Sequence, residues 1–151
     1  MAQIHKMNFQ IEIKSSADKY YNFYKSNVHL LPKISPREIK GVKLVEGDWD
    51  SVGSVKVWTH TLSGAPETLK ETTETIDDES KTITSKFLDG EILKYYTTFK
   101  PTMTALPSGK GCLAKWTVEF EKQNESIPDP IKYKDFVVSF SKNVDAYLLK
   151  A

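Results

Sequence analysis

Cysteine, net charge and long apolar runs are nearly absent from this sequence, and each absence excludes a class of protein. The single cysteine among 151 residues, Cys112, cannot form an internal disulfide, which excludes a disulfide-stabilised secreted scaffold. Lysine and arginine number 21 against 20 aspartates and glutamates, so no global field attracts nucleic acid. No apolar run has the length of a signal-peptide core or a membrane span. We therefore expect a cytoplasmic monomer with no nucleic-acid partner and no integral membrane segment.

Histidine is equally scarce, and its positions argue against metal or nucleophilic chemistry. His5, His29 and His60 are not spaced from one another, or from Cys112, as the ligands of a zinc site are. No Ser-His-Asp or Cys-His order along the chain suggests a nucleophilic triad. We expect no metal and no other cofactor. Only His60 has a predicted role, because an inward-facing neutral imidazole can hydrogen-bond a ligand hydroxyl.

The loop at residues 47–53 has too few glycines to bind a phosphate. Gly47 and Gly53 bound it, but Asp48 and Asp50 lie between them and would repel a phosphate group. The Lys-Ser/Thr pair that completes a nucleotide-binding loop is missing. The loop is therefore predicted to be a structural turn.

The strongest positive signal is the last segment, residues 129–149, which has the pattern of a long amphipathic helix. Asp129 is placed to cap its N-terminus, and Pro130 suits the first helical position. Apolar residues recur at helical spacing and form one stripe, which contains Tyr133, Phe136, Val137, Phe140, Val144, Tyr147 and Leu148. The opposite, polar side is predicted to carry Lys132, Asp135, Ser139 and Lys142.

The chain before that helix is predicted to be mainly strand. Residues 6–14 alternate as a strand with one apolar face does, and Ser15 with Asp18 resembles a capping box that opens a short helix. A second short helix is predicted at 27–36. Six more strands are predicted at residues 39–46, 54–61, 68–76, 82–88, 93–103 and 112–121. The predicted fold class is α+β, with a curved antiparallel sheet that grips the terminal helix.

The sheet face that points towards the helix is predicted to mix aromatic and polar residues. Alternation along the last three strands turns inward a set that includes Ser85, Phe87, Tyr95, Thr97, Phe99 and Trp116. Ligand cavities are lined by aromatics with a few polar groups, whereas solid cores favour aliphatic residues in defined rotamers. Composition alone leaves both a cavity and a solid core open.

Several blocks of sequence, in order, match one family along essentially the whole chain. The first runs from Glu46-Gly47-Asp48-Trp49 to Val52-Gly53-Ser54-Val55 and Trp58, a GxW-xxVGS pattern. Further matching blocks are residues 76–81, 89–90, 96–100, 115–122, 128–130 and 146–149. In these blocks the chain resembles the major latex proteins of plants, within the birch-pollen-allergen and class ten pathogenesis-related superfamily.

The resemblance implies a START-like helix-grip fold and a ligand-binding function. The expected fold is a single domain over residues 1–151, with a seven-stranded antiparallel sheet wrapped around the terminal helix and two short helices after the first strand. It implies a large cavity for an apolar or amphipathic small molecule, such as a sterol, lipid, flavonoid, alkaloid or hormone. It also implies an allergen-like protein of plant defence or stress responses.

The cavity positions that the family implies can be carried onto this chain residue by residue. They are Phe23, Leu31, Trp58, His60, Ile83, Phe87, Phe99, Trp116, Phe136, Val137 and Phe140. We expect His60, Tyr95 and Ser85 to orient the ligand through polar contacts. The assignment turns Lys56, Trp58 and His60 inward, whereas simple alternation favours Val55 and Val57 there.

Two alternatives to a carrier follow from the same resemblance. Some relatives catalyse alkaloid condensations or isomerisations with acid and base groups in the cavity, and the candidates for such groups here are Lys56, His60, Glu71 and Tyr95. The helix face of Phe136, Val137 and Phe140 offers no acid or base, which favours binding without catalysis. Hormone receptors of the superfamily are a weaker match, because the loop at 63–66 only partly follows their gate sequence.

Overall fold

The computed structural model describes residues 3–150 and contains one sheet, three α-helices and two 3₁₀ turns. The strands are β1 (Ile4–Ile13), β2 (Ile39–Glu46), β3 (Val55–His60), β4 (Glu67–Asp77), β5 (Thr82–Gly90), β6 (Tyr96–Ser108) and β7 (Gly111–Lys122). The helices are α1 (Ala17–Ser26), α2 (Leu31–Ile34) and α3 (Ile131–Lys150). The 3₁₀ turns are Val28–Leu30 and Glu91–Lys94. No helix in this part of the chain is both long and apolar enough to cross a membrane.

The seven strands form a single antiparallel sheet in the order β1-β7-β6-β5-β4-β3-β2. Strands β2 to β7 follow one another as neighbours, so short connections suffice between them. β1 and β2 lie at opposite edges of the sheet, and the segment that joins them carries α1 and α2. The two short helices therefore span the open side of the sheet, and the predicted fold class is confirmed.

The predicted amphipathic pattern of α3 is confirmed except at Tyr147, which was predicted to belong to the apolar stripe but is 40% exposed. Val137 and Val144 are fully buried, whereas the four residues predicted for its polar side are exposed. Its N-terminus differs from the prediction. The Pro130 carbonyl accepts the Lys134 amide at 3.2 Å, while the Asp129 carboxylate pairs with Lys122 Nζ at 2.9 Å instead of capping the helix. A cation on the adjacent end of β7 competes for this carboxylate.

The cap of α1 lies one residue later than predicted. Ser16 Oγ accepts the Lys19 amide at 3.2 Å. Ser15 is buried and donates its hydroxyl to Asp145 Oδ1 of α3 at 2.7 Å. The Asp145 carboxylate also accepts the backbone amides of Lys14 and Ser15, each at 2.9 Å. Because Ser15 is buried against α3, it does not cap α1. Its hydrogen bond to Asp145 instead connects the N-terminal and C-terminal parts of the chain.

The start of β6 departs from simple alternation. Residues 91–94 form a 3₁₀ turn, and the pairing with β7 shifts by one residue between Tyr96 and Thr98. A bulge of this kind reverses the faces of the residues before it. Tyr96 and Phe99 are consequently both buried, whereas Thr97 is exposed and Tyr95 has 52% of its surface exposed. The predictions that Tyr95 and Thr97 point inward are therefore wrong.

Candidate functional site

A cavity of about 130 Å³ lies between the inner face of the sheet and the helices. Of the thirteen side chains predicted to contact a ligand, nine line this cavity, namely Leu31, Trp58, His60, Ile83, Ser85, Phe87, Trp116, Phe136 and Phe140. The sequence prediction thus locates most of the wall.

Four predicted residues do not line the cavity. Phe23, Phe99 and Val137 are buried in the packing behind its wall. Phe99, for example, stacks on Phe87 with ring centroids 4.9 Å apart, so that Phe87 stands between it and the space. Tyr95 lies on the outside for the reason given above. Inward orientation along a strand or helix therefore does not suffice to reach the cavity.

The orientation of β3 is the one that the family resemblance implied. Lys56 and His60 line the cavity with Trp58, whereas Val57 lies on the other face and is only partly buried. The pairing of β3 with β4 starts from the adjoining loop, where the Gly53 amide donates to the Thr73 carbonyl at 2.8 Å. This register places Lys56 opposite Glu71 on the inner face. Backbone pairing, not side-chain hydrophobicity, decides which residues of β3 face inward.

Sequence reasoning missed a further group of wall residues. These are Tyr24, Val28, Ile39, Leu62, Leu69, Thr73, Ile92, Pro101, Met103 and Tyr133, and it assigned Lys56 and Glu71 only to the enzyme alternative. A signal existed for the two tyrosines, since each belongs to the apolar stripe of a predicted helix. The Tyr24 ring lies 5.8 Å from Trp116 and 6.5 Å from Phe140, centroid to centroid. For loop residues such as Leu62 the sequence carries no comparable pattern.

A cluster of three hydroxyls lies where α1 meets α3. The Tyr20 hydroxyl donates to Ser141 Oγ at 3.1 Å, and the Tyr24 hydroxyl lies 3.0 Å from the same atom. Burial raises the pKa of Tyr20 to about 12 and that of Tyr24 well above its usual value, so both remain neutral. Near them, Trp116 Nε1 is the one buried side-chain polar atom among residues 3–150 without a hydrogen-bond partner.

Lys56 provides a buried cation on the sheet side of the cavity. The residue is 4% exposed, its Nζ donates to Ser54 Oγ at 3.1 Å, and it lies 6.0 Å from the centroid of the Trp49 ring. Burial lowers the pKa of Lys56, and the charges of Glu71 and Asp50 oppose that change. The positive charge of a lysine in this setting is only partly compensated.

Glu71 stands beside Lys56 on the neighbouring strand. Trp58 Nε1 donates to its Oε1 at 3.2 Å. Burial raises the pKa of Glu71, while the charge of Lys56 and the bond from Trp58 oppose the rise. Burial also raises the pKa of Tyr133, which lines the same cavity, and the charge of Glu71 adds to that effect. An acid, a cation and a phenol therefore line the same cavity.

His60 lies near the end of the cavity formed by the β3–β4 loop. Its Nδ1 accepts the Leu62 amide at 3.2 Å, and its ring lies 6.1 Å from the Phe136 ring, centroid to centroid. Burial lowers the pKa of His60, with the charge of Glu67 opposing. The imidazole is therefore neutral near pH 7 with its proton on Nε2, which leaves that atom as a donor.

Leu62 and Phe136 separate the cavity from an outer hollow between the β3–β4 loop and α3. Both side chains line both spaces. The outer hollow has a volume of about 650 Å³, and its polar rim includes Arg37, Lys40 and Lys132. Two apolar side chains therefore form the boundary between the cavity and this hollow.

No group of three or more histidine, cysteine, aspartate or glutamate side chains within residues 3–150 could hold a metal ion. Burial raises the pKa of the Cys112 thiol to about 11, with the charge of Asp145 adding to the rise. The thiol is therefore protonated at neutral pH and is not activated as a nucleophile. The polar chemistry of the site rests on the residues described above.

Comparisons with known proteins find relatives in sequence and solved structures with the same fold. The model of the pathogenesis-related protein Bet v 1 family matches residues 2–151. MLP-like protein 423 of Arabidopsis thaliana is 37% identical over 146 residues, which are 95% of this chain and 94% of that protein. Ginseng major latex-like protein 151 from Panax ginseng has a crystal structure that matches with a TM-score of 0.92 and 32% identity, over 97% of this chain and 98% of that chain.

A more distant structure shares the fold alone. Norcoclaurine synthase from Thalictrum flavum, in complex with dopamine and hydroxybenzaldehyde, matches with a TM-score of 0.83 but only 21% identity, over 99% of this chain and 88% of that one. The family match and the relatives above 30% identity decide the assignment. This chain belongs to the pathogenesis-related protein Bet v 1 family and is one of its major latex-like members.

Proposed function

We propose that this protein binds an apolar or amphipathic small molecule in its internal cavity and carries or sequesters it. The observation that supports this proposal is the cavity wall, in which aromatic side chains surround a buried cation, a buried histidine and a partly buried acid. Apolar walls with a few polar groups are typical of ligand sites. Burial of the ligand's apolar area supplies roughly 25 cal/mol per Å² before the costs of association.

The volume of the cavity limits the ligands that it accepts without rearrangement. A cavity of about 130 Å³ is close to the roughly 150 Å³ that holds a benzene molecule in another protein. Drug-sized ligands occupy pockets of roughly 300–1,000 Å³. A sterol or flavonoid would therefore have to displace side chains, and Leu62 and Phe136 are placed to move because they also face the outer hollow.

The family's description as pathogenesis-related supports a role in plant defence or stress, and we propose that the protein acts in the cytoplasm as a monomer. Under this proposal the bound molecule is withdrawn from water and from other proteins until it is released. Release through the Leu62–Phe136 boundary would require no unfolding of the sheet.

A second candidate, an enzyme of specialised metabolism, is favoured by one observation. Lys56, Glu71 and Tyr133 all line the cavity, and burial shifts the pKa values of the lysine and the glutamate towards each other. Acid–base catalysis is most efficient when the pKa of the catalytic group lies near the operating pH. Tyr95 leaves this set because it is exposed, and Tyr133 takes its place.

Displacement of a fluorescent apolar probe from the purified protein tests the proposal. The competitors are sterols, fatty acids, flavonoids, alkaloids and single-ring aromatics, and mass spectrometry of each mixture follows. Stoichiometric displacement with unchanged competitors supports a carrier, and accumulation of a product supports the enzyme. Failure of the probe and of every competitor to bind would contradict both.

A further inference from the structure

We propose that the cavity selects a single-ring aromatic carboxylic acid, whose carboxylate pairs with Lys56 and whose binding brings one proton onto Glu71. This inference rests on the proposed binding function and specifies the chemistry of the ligand. It follows from the charges on the sheet side of the cavity and from the size of the space beside them.

The ammonium group of Lys56 can donate more hydrogen bonds than it does. Its ammonium group has three donors, and one of them is directed to Ser54 Oγ. Among residues 3–150, no carboxylate oxygen lies within 4.0 Å of Lys56 Nζ. A buried charge is costly unless it is paired. A ligand carboxylate in the cavity would supply the missing contact.

The charge of Glu71 acts on Lys56, but the two side chains form no direct ion pair. Glu71 is the residue paired opposite Lys56 across β3 and β4, yet its carboxylate binds Trp58 Nε1 and not the ammonium group. Burial makes the anion of Glu71 unfavourable and raises its pKa. A second anion beside it would repel the first, so Glu71 takes up a proton when a ligand carboxylate arrives. The protonated acid can then donate a hydrogen bond to the ligand.

The cavity beside Lys56 and Glu71 has the size and the walls to hold one aromatic ring. The cavity has a volume of about 130 Å³, which fits one aromatic ring. Trp58, Phe87 and Trp116 supply flat apolar walls, and ring contacts with the ligand add to the burial of its area. An aliphatic acid of similar length would fill the same space with more loss of rotational freedom on binding.

Proton uptake gives the proposal a specific pH dependence. Between the pKa values of Glu71 in the free and bound protein, the affinity falls by up to about tenfold for each pH unit of increase. Below this range Glu71 is protonated in both the free and the bound protein, and above it in neither. Outside the range the affinity therefore does not depend on pH. Carboxylic acids ionise near pH 4, which keeps the ligand anionic throughout.

Other ionisable groups around Lys56 and Glu71 behave differently over this range. Asp50 is close enough to act on the charge of Lys56 from the β2–β3 loop. Tyr24 of α1 and Tyr133 of α3 face the cavity, and both keep their protons because burial raises their pKa values. His60 of β3 is the remaining group, and protonation of its imidazole at the acid end would also favour an anion.

Isothermal titration of the full-length protein with benzoate, benzyl alcohol and benzylamine tests the proposal, at intervals from about pH 5.5 to about pH 8. We expect benzoate to bind at least about tenfold more tightly than benzyl alcohol near pH 6, and benzylamine more weakly than both. Titration in two buffers that differ in heat of ionisation should show the uptake of about one proton with benzoate and none with the alcohol.

Two substitutions and one control assign the effect to residues. Lys56→Met should reduce benzoate affinity at least about tenfold and change benzyl alcohol affinity less than about twofold. Glu71→Gln should retain benzoate binding but remove its pH dependence and the proton uptake. Lys70→Met is the control, because Lys70 is exposed on the outer face of β4, next to Glu71, and should bind every ligand as the wild type does.

The titrations and the variants distinguish a failure of this inference from a failure of the proposed function. If benzyl alcohol binds but benzoate binds no more tightly, the inference is wrong and the proposed function stands. If no compound displaces an apolar probe, the proposed function itself fails. A pH dependence that persists in Glu71→Gln belongs to His60 or to Lys56 itself and overturns the role of Glu71. Should Lys56→Met not fold, the comparison of benzoate with benzyl alcohol and the proton count in the wild type still decide.

Discussion

Aromatic side chains of α3 have two roles in this protein, because they both complete the core and bound the cavity. Phe140 is buried and its ring lies 5.7 Å from Phe136, centroid to centroid, while Phe136 keeps part of its surface exposed towards the outer hollow. A residue on a shared wall should affect stability and binding together. A residue behind the wall should affect stability alone.

We predict that Phe140→Ala lowers the free energy of unfolding by about 3 kcal/mol and changes ligand selectivity. Removal of the ring enlarges the cavity, so a two-ring competitor should gain affinity relative to a one-ring competitor. Urea unfolding and probe displacement measure the two effects. Phe136→Ala should change affinity with a smaller loss of stability, because Phe136 is only partly buried.

Val118→Ala is the matched control for this prediction. Val118 is fully buried but does not line the cavity, and its truncation should cost about 2 kcal/mol without a change in selectivity. Unchanged affinities in a folded Phe140→Ala protein would exclude Phe140 from the binding site.

A second residue-scale prediction concerns His60. Because burial lowers its pKa below the ordinary value of 6.5, the folded protein binds the His60 proton less readily than the unfolded chain does. Stability therefore falls as the pH drops through 6.5 towards the folded pKa. We expect His60→Gln to remove this part of the pH dependence in urea unfolding between pH 7 and about pH 5.

His29→Gln provides the control, since His29 is exposed and contacts Trp49 outside the cavity. Glu71 acts in the opposite sense, because its raised pKa costs stability as the pH rises above 4.5. For that reason the quantity to compare is the difference between each variant and the wild type at every pH. A difference with the same pH profile for both histidines would contradict the prediction.

At the scale of elements, one carboxylate holds α3 in place. Asp145 accepts bonds from the Lys14 amide, the Ser15 amide and the Ser15 hydroxyl, at 2.7 to 2.9 Å, and it is 9% exposed. The two amides belong to the end of β1 and the start of the turn into α1. This contact orients α3 across the sheet and so fixes one wall of the cavity.

We predict that Asp145→Ala lowers the free energy of unfolding by about 3 kcal/mol, because three donors, two of them on the buried Ser15, lose their acceptor. Asp145→Asn should cost less, since the amide oxygen retains part of the acceptor capacity. Asp135→Ala on the exposed side of α3 should lie within about 0.5 kcal/mol of the wild type. Equal effects of the two alanine variants in urea unfolding would refute the anchoring role.

The contact between β1 and β7 depends on a glycine at the start of β7. A Cβ atom at Gly111 would lie 2.3 Å from the Ile13 carbonyl oxygen, and backbone cannot move aside as a flexible side chain can. We predict that Gly111→Ala costs at least about 2 kcal/mol in urea unfolding. Gly41→Ala is the control, because no atom of residues 3–150 lies within 4 Å of a Cβ at Gly41, and it should change stability by less than about 1 kcal/mol.

At the scale of the whole molecule, binding and folding should be linked because the cavity exists only in the folded state. Its walls come from strands of the sheet and from all three helices, so unfolding abolishes the site. A ligand at 100 times its dissociation constant should therefore add about 2.7 kcal/mol to the free energy of unfolding.

For a chain of this length that gain raises the midpoint of thermal unfolding by roughly 5–10 °C. Differential scanning calorimetry with the tightest competitor from the displacement screen measures it. Lys70→Met should show the same increase as the wild type. An unchanged midpoint at saturating ligand would mean that the competitor does not bind the folded protein in preference to the unfolded chain.

Residue patterns within single strands and helices predicted much of this structure from the sequence alone. The period of two in β1 and the period of 3.6 in α3 predicted the buried faces, apart from the exposed Tyr147, because each period depends only on the geometry of its own element. Blocks of residues in a fixed order along the chain allowed the family resemblance to be identified. Nine of the thirteen residues predicted to contact a ligand line the cavity.

Tertiary structure alone decided the remainder. The bulge at the start of β6 reversed Tyr95, the pairing with β4 turned Lys56 rather than Val57 inward, and burial drew Ser15 from its cap to Asp145. Each outcome depends on a partner strand or helix distant along the chain, 130 residues away for Ser15. The volume of the cavity likewise follows from how the sheet and helices pack together, and no spacing of residues within one element encodes it.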